Sequence, residues 1–246
     1  TRVRSSAASD VYKRQDVVPR IMSREQMVQL RAWMQEHAAS TALLVSSVPA
    51  VLPPVIGFAE YVMGVRPFQS VSSSLVRRLG QILAGIQQKL ALRFSFDHWP
   101  VFGATWHELI ELLDTRKRDL VILSGDVHFS YAMSARRTFF PTKRRVALYQ
   151  LVASPFKNTL EWRDKRLILG QAWIKRAIYG GLYTRMLPLL RTKGAKHVHF
   201  DMMFQNAIAL VTFWPQSQGN YCIRQVYLGV KHKTLVEIGS TVVNCG

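Results

Sequence analysis

Leu120, Val121, Ile122 and Leu123 form an unbroken apolar run that stops on Ser124-Gly125-Asp126. A run this short, with no polar alternate position, predicts a buried strand, parallel to its neighbours and covered on both faces. Directly before it, Trp106, Leu109, Ile110 and Leu113 recur at helical spacing, which predicts a helix over Ala104 to Arg118. Upstream, "SREQMVQLRAWMQEH" pairs Ser23 with Gln26 as a capping box and repeats Met27, Leu30 and Met34 on one face. That helix leads into a second expected buried strand, Ala42 to Ser46. Strands alternating with helices in this way predict a layered α/β core of the α+β kind.

The remaining chain is less regular. Between the Ala42 strand and the Trp106 helix, a Pro-rich loop and a mixed stretch precede a stripe of Leu75, Leu79, Ile82, Ile86 and Leu90, which reads as an amphipathic helix. Beyond Asp126 the pattern becomes β-rich, in "SYAMSARR", "RVALYQLVAS", "AIALVTFW" and "NYCIRQVYLGV". "PTKRR" suits a hairpin loop between the first two. Arg224 and Gln225 suggest that the last strand is half exposed. Trp173, Ile174, Ala177, Ile178, Leu182, Met186 and Leu187 read as a helical stripe interrupted by Gly180-Gly181. Residues Ala38 to Ala59 carry no charge, but Pro49, Pro53 and Pro54 argue against a membrane-spanning helix.

A 48% hydrophobic content is enough for a proper core, while 33 Lys plus Arg against 15 Asp plus Glu leave a formal charge of +18. Such an excess points to an anionic partner without choosing among nucleic acid, lipid and phosphorylated substrate. Cys222 and Cys245 fit neither a disulfide framework nor a metal knuckle, so the compartment stays open. The chain opens on Thr, and "TRVRSSAASDVYKRQ" has the look of adapter-derived sequence. Residues 1–15 are therefore expected to be a non-native tail, with the native amino terminus missing.

Gly125 permits a sharp turn, and Asp126 and His128 would follow the carboxyl end of their strand, where open α/β sheets place ligands. Hard carboxylate oxygen and imidazole nitrogen suit part of a metal site. A Gly-Asp turn with a satisfied histidine beside it fits the spacing as well. Among the other histidines, His37 suits the last turn of a helix and His107 the surface. His197 and His199 share one face of a strand, and His232 lies between lysines. Basic clusters at Arg136-Arg137, Lys143 to Arg145, Arg163 with Lys165-Arg166, Lys175-Arg176, and Arg191 with Lys193 and Lys196 are interleaved with Trp162, Trp173 and Tyr179. They form either a solvated face or an amphipathic surface for an anionic membrane. No nucleic-acid recognition module appears.

Taken together, "FDHWPVFGATWHELIELL" followed by "VILSGDVHFSYAM", with the earlier "SREQMVQLRAWM" and "TALLVSSVP", resembles the alkaline phosphatase D family of metallophosphatases, the PhoD-like phosphatases. The resemblance runs from about Ile21 to Ser154 and more loosely to Val230. It implies a calcineurin-like metallophosphoesterase fold, a four-layer β-sandwich flanked by helices. It also implies hydrolysis of a phosphate monoester or diester by a water activated at two metals. On the Gly-Asp-x-His motif, Asp126 and His128 become metal ligands, with iron and calcium favoured over zinc or manganese. Asp97, His98 and Trp99 match a family turn near the site and would orient ligands or touch substrate, although a local turn bond and plain packing explain them equally. The early ligand turns of such a site are not found upstream of Ala42. The chain is therefore expected to be the carboxyl-terminal part of an enzyme whose first half is missing. The rival expectation is a non-catalytic basic α/β module that docks to an anionic membrane or polyanion.

Overall fold

The structure, a computed structural model, describes residues 20–64, 98–138, 146–154, 162–192 and 198–246. In chain order the elements begin with helix α1 (Arg24–Glu36), strand β1 (Ala42–Ser46), helix α2 (Pro54–Gly64), a 3₁₀ turn (Trp99–Val101) and helix α3 (Gly103–Thr115). Strands β2 (Leu120–Ser124), β3 (Ser130–Arg137) and β4 (Ala147–Val152) follow, then helix α4 (Trp162–Gln171). The rest is β: β5 (Arg176–Tyr179), β6 (Leu182–Met186), β7 (Leu190–Arg191), β8 (Val198–His199), β9 (Met202–Met203), β10 (Ile208–Pro215), β11 (Tyr221–Lys231) and β12 (Thr234–Cys245).

These strands build two sheets. The first runs β1-β2-β4-β3-β6-β5, with β9 on the end of β3 and β8 on β9; the second runs β10-β11-β12-β7. β1, β2 and β4 are parallel, so their carboxyl ends come together at one end of the sheet. β3 returns antiparallel beside β4. The protein is thus mixed α/β with four described helices and two sheets.

Helix and strand patterning explain the layers. Ser23 caps α1 reciprocally, accepting from the Gln26 amide at 3.2 Å while the Ser23 amide donates to the Gln26 side chain at 2.9 Å. Met27 and Met34 of α1 join Trp106, Leu109, Leu112 and Leu113 of α3 against Leu120, Ile122, Tyr131 and Leu148 of the first sheet. On the sheet's other face, Val121, Tyr149 and Leu151 pack against Ile223, Val243 and Cys245 of the second sheet. β2 is therefore covered on both sides, as its apolar run requires. Asp119 ties the amino end of this core, its two carboxylate oxygens accepting from the Ala147 amide at 2.8 Å and the Gly246 amide at 2.9 Å.

Several expectations need correction. The stripe expected as a helix around Gly180-Gly181 is a β-hairpin, β5 to β6, turning on those two glycines at φ 55° and 81°. Two consecutive positive-φ residues are what a two-residue hairpin needs, and that local requirement overrides the helical spacing of the flanking apolar residues. Gly180 also sits where an added Cβ would lie 2.2 Å from Trp106 Nε1. β1 is a strand as expected, yet it is buried on one face only: it forms the sheet's edge, with Ala42 in the core but Leu43 and Val45 43% and 74% exposed. The Pro-rich loop ends earlier than the sequence suggests, because Pro54 opens α2, a position that proline tolerates. Arg224 is half-exposed as expected, whereas Gln225 is buried between the sheets. The expected helix carrying Leu75 to Leu90, the 1–15 tail and the "PTKRR" loop lie outside the described residues.

Candidate functional site

β2 ends at Ser124, and the chain then turns through Gly125, Asp126, Val127 and His128 before β3 begins at Ser130. Asp126 and His128 both adopt left-handed backbone, at φ 60° and 61°, on either side of the buried Val127. Left-handed φ is uncommon for residues other than glycine, although Asp and His accept it more readily than most. Neighbouring loops hold this turn. The Gly125 amide donates to the Ser47 carbonyl beyond β1 at 3.3 Å, and the His128 amide donates to Ser154 Oγ beyond β4 at 3.1 Å. The loops after β1, β2 and β4 therefore converge where a parallel sheet presents its carboxyl ends. Val127 anchors the turn from below, leaving the Asp126 side chain exposed and His128 half-buried.

The loop after β1 is fixed from inside. Gln150, fully buried on β4, accepts from the Ala50 and Val51 amides at 2.9 and 3.3 Å. Its amide nitrogen donates to the Ile122 carbonyl at 3.2 Å and to Ser124 Oγ at 2.9 Å. Two phenols complete the grip: Tyr131 donates to the Val51 carbonyl at 2.9 Å and Tyr179 to the Leu52 carbonyl at 3.3 Å. Burial pushes both phenols well above their ordinary value, with Glu60 adding to the effect, so they remain donors at neutral pH.

Of the second group, Asp97 lies outside the described residues. Trp99 is buried and donates from Nε1 to Ser46 Oγ at the end of β1, 3.3 Å away, so it packs beneath the same loop cluster. His98 Nδ1 lies 2.6 Å from Oε1 of Glu60, a fully buried carboxylate on α2. Sequence reading misses this pair because 38 residues separate the partners and α2 falls in the mixed stretch after the Pro-rich loop, where no helix is expected. It missed Ser154 and Gln150 for a related reason: each is an ordinary polar residue until strand pairing aligns it with β2.

The remaining histidines are accounted for locally. His37 and His107 are exposed, their Nδ1 atoms 2.9 Å from the Trp33 carbonyl and 2.6 Å from the Gly103 carbonyl. His232 is exposed in the β11–β12 turn at φ 50°. His199 is half-buried on β8, and its companion His197 is outside the described residues. Several of the basic residues are engaged: Arg137 forks onto Asp114 at 2.8 and 3.0 Å, and Lys175 reaches Asp201 at 2.6 Å. Lys143 to Arg145, Lys193 and Lys196 fall outside the described residues. Among the described residues no helix is long and apolar enough to cross a membrane.

As donors, Asp126 and His128 have the right chemistry for a transition metal or, through the carboxylate, calcium. Their number is insufficient. Structural or catalytic zinc takes at least three protein ligands and calcium six to eight oxygens, and among the described residues no group of three or more His, Cys, Asp or Glu side chains could hold a metal ion.

Fold and turn together define a mixed α/β protein with a polar turn at the carboxyl end of the three parallel strands of a mixed sheet. Compared with known proteins, the chain matches no family model, no curated protein and no solved structure.

Proposed function

We propose that this chain is part of a metal-dependent phosphoric ester hydrolase of the PhoD-like kind, in which Asp126 and His128 furnish two of the metal ligands. The observation that carries the reading is the pair of left-handed residues, Asp126 and His128, in one short turn held by three converging loops. Strain of this sort persists only where the surroundings over-determine it, and it concentrates at functional sites. Iron with calcium is the metal pair that the GDVH resemblance favours, with zinc or manganese as substitutes. The other ligands must come from outside the described residues, in keeping with a carboxyl-terminal portion of a larger site.

The test is elemental analysis by mass spectrometry of the purified chain, beside a version extended upstream in its own reading frame, each with and without Asp126→Ala. Near-stoichiometric metal in the extended protein, absent from the 246-residue chain and lost on substitution together with phosphoesterase activity, is the expected result. No metal in either form sinks the proposal. Binding to anionic vesicles that weakens with salt would then favour the basic docking module.

A further inference from the structure

The second sheet packs on Ala132 of β3 and on Ala147, Tyr149 and Leu151 of β4, all on one face of the first sheet. Alternation along β3 puts Ser134 and Arg136 on that face, and register across β6 and β5 adds Tyr183, Arg185, Arg176 and Ile178. Here the face is open to solvent. Arg136, Arg176 and Arg185 are exposed, and Ile178 is 59% exposed. The other face of the same hairpin carries Tyr179, Leu182 and Met186 into the core.

Arg176 and Arg185 stand directly opposite each other. The Met186 amide donates to the Lys175 carbonyl at 2.9 Å, so the arginine pair takes the next, non-hydrogen-bonded position, where side chains come closest. Like charges placed in this way weaken a strand pair. No carboxylate relieves them: among the described residues neither arginine makes an ion pair. Arg136, diagonal to Arg185, makes none either and lies against the Tyr149 phenol. On the opposite face Arg137 is forked by Asp114, so the fold neutralises one arginine of this region and leaves three bare. We propose that this open face docks on an anionic phospholipid bilayer, with Arg176 and Arg185 sharing a lipid phosphate and Ile178 pressed into the headgroup boundary. Two guanidinium forks at one point match the oxygens of a phosphate. Ile178, two residues along β5 from Arg176, decides for lipid, which rewards an exposed aliphatic side chain. A single-stranded nucleic acid would want stacking faces, and the aromatic residue of this face, Tyr183, is half-buried. Trp173, three residues before Arg176, is 69% exposed and is of the type that settles at headgroup depth. The surface is independent of the metal reading.

The test is co-sedimentation of the intact chain with vesicles of phosphatidylcholine alone and of phosphatidylcholine mixed with phosphatidylserine. Expected is binding to the mixed vesicles only, weakening as salt is added. Arg185→Ser should weaken it about fivefold, and Arg185→Glu, a change of two charges, about 25-fold. Arg185→Glu should at the same time raise the thermal midpoint of the free chain, because Arg176 gains an opposite charge across the ladder. Ile178→Ser should weaken the binding that survives at high salt. Arg24→Ser removes the same charge from α1, which packs on the opposite face of the sheet, and should leave binding unchanged. Three results overturn the proposal. One is no binding to the mixed vesicles. Another is an equal loss from Arg24→Ser and Arg185→Ser, which would make the attraction a property of total charge. The third is tighter binding of a single-stranded RNA oligomer, lost with Arg185→Ser, which would make nucleic acid the occupant.

Discussion

Ser130 and Ser154 exchange a pair of hydrogen bonds: the Ser154 amide donates to Ser130 Oγ at 3.0 Å, and Ser130 Oγ donates to the Ser154 carbonyl at 2.8 Å. This clasp joins the start of β3 to the end of β4, and it aims Ser154 Oγ at the His128 amide. Ser154→Ala keeps the clasp and removes only that last acceptor. The variant is expected to lose about 1–2 kcal/mol of stability in urea unfolding, the cost of a partly buried amide left without its partner. Ser154→Thr should retain most of it. A variant as stable as the parent would mean that the His128 turn is held by other contacts.

Gln150 is the most connected polar side chain at this end of the sheet, serving two amides of the loop after β1 and two acceptors on β2. Gln150→Leu conserves approximate volume and strands both loop amides in an apolar surrounding. Losses in the range of about 2–4 kcal/mol are expected in chemical unfolding. Faster hydrogen exchange at Ala50 and Val51 should accompany the loss, and unchanged exchange there would refute the clamp.

Alkaline pH should unfold the protein through buried acids that must stay protonated. Burial pushes the Cys245 thiol up to about 12, with Asp119 and Cys222 adding to it, and burial raises the Tyr131, Tyr179 and Tyr227 phenols. In the unfolded chain a cysteine ionises near pH 8.5 and a tyrosine near 10, both approximate. Above those values the unfolded state releases protons that the folded state retains, so stability falls as pH rises. Their contribution is complete below about pH 8, declines from about 8.5 for Cys245, and declines further above about 10 for the tyrosines. Urea midpoints measured from pH 7 to 11 should follow this course, and Cys245→Ala should remove the earlier decline. At pH 8 a maleimide should label the half-exposed Cys222 and spare Cys245; equal labelling of both would contradict the burial.

The parts of this fold that could be read in advance are those whose residues satisfy one another locally. The capping box at Ser23 and Gln26, the α3 stripe through Trp106 and Leu113, and the apolar run of β2 each carry their own signal within a few residues. The position of Asp126 and His128 past the end of β2 followed from the same run. The β5–β6 hairpin escapes a local reading because its apolar residues mimic helical spacing, while the decisive signal, two adjacent glycines, fits a helix interruption as well as a turn. The placement of β1 at an edge was not readable at all, since "TALLVSS" has the composition of a central strand.

What the amino-acid sequence determined by itself is the locally signalled elements, α1, α3 and β2 foremost, and the turn chemistry: period, caps, and a Gly-Asp-x-His segment after a buried strand. These depend on steric and hydrogen-bonding preferences acting over a handful of residues. Only the tertiary structure decided which distant side chains share that turn. Strand pairing brought Ser154 to the His128 amide and Gln150 to the loop after β1, and helix packing set Glu60 against His98. The exposure of Leu43 and Val45 was decided in the same way, by the place of β1 at the end of the first sheet. Such contacts join residues tens of positions apart and follow from the register of a whole sheet, which no local stretch encodes.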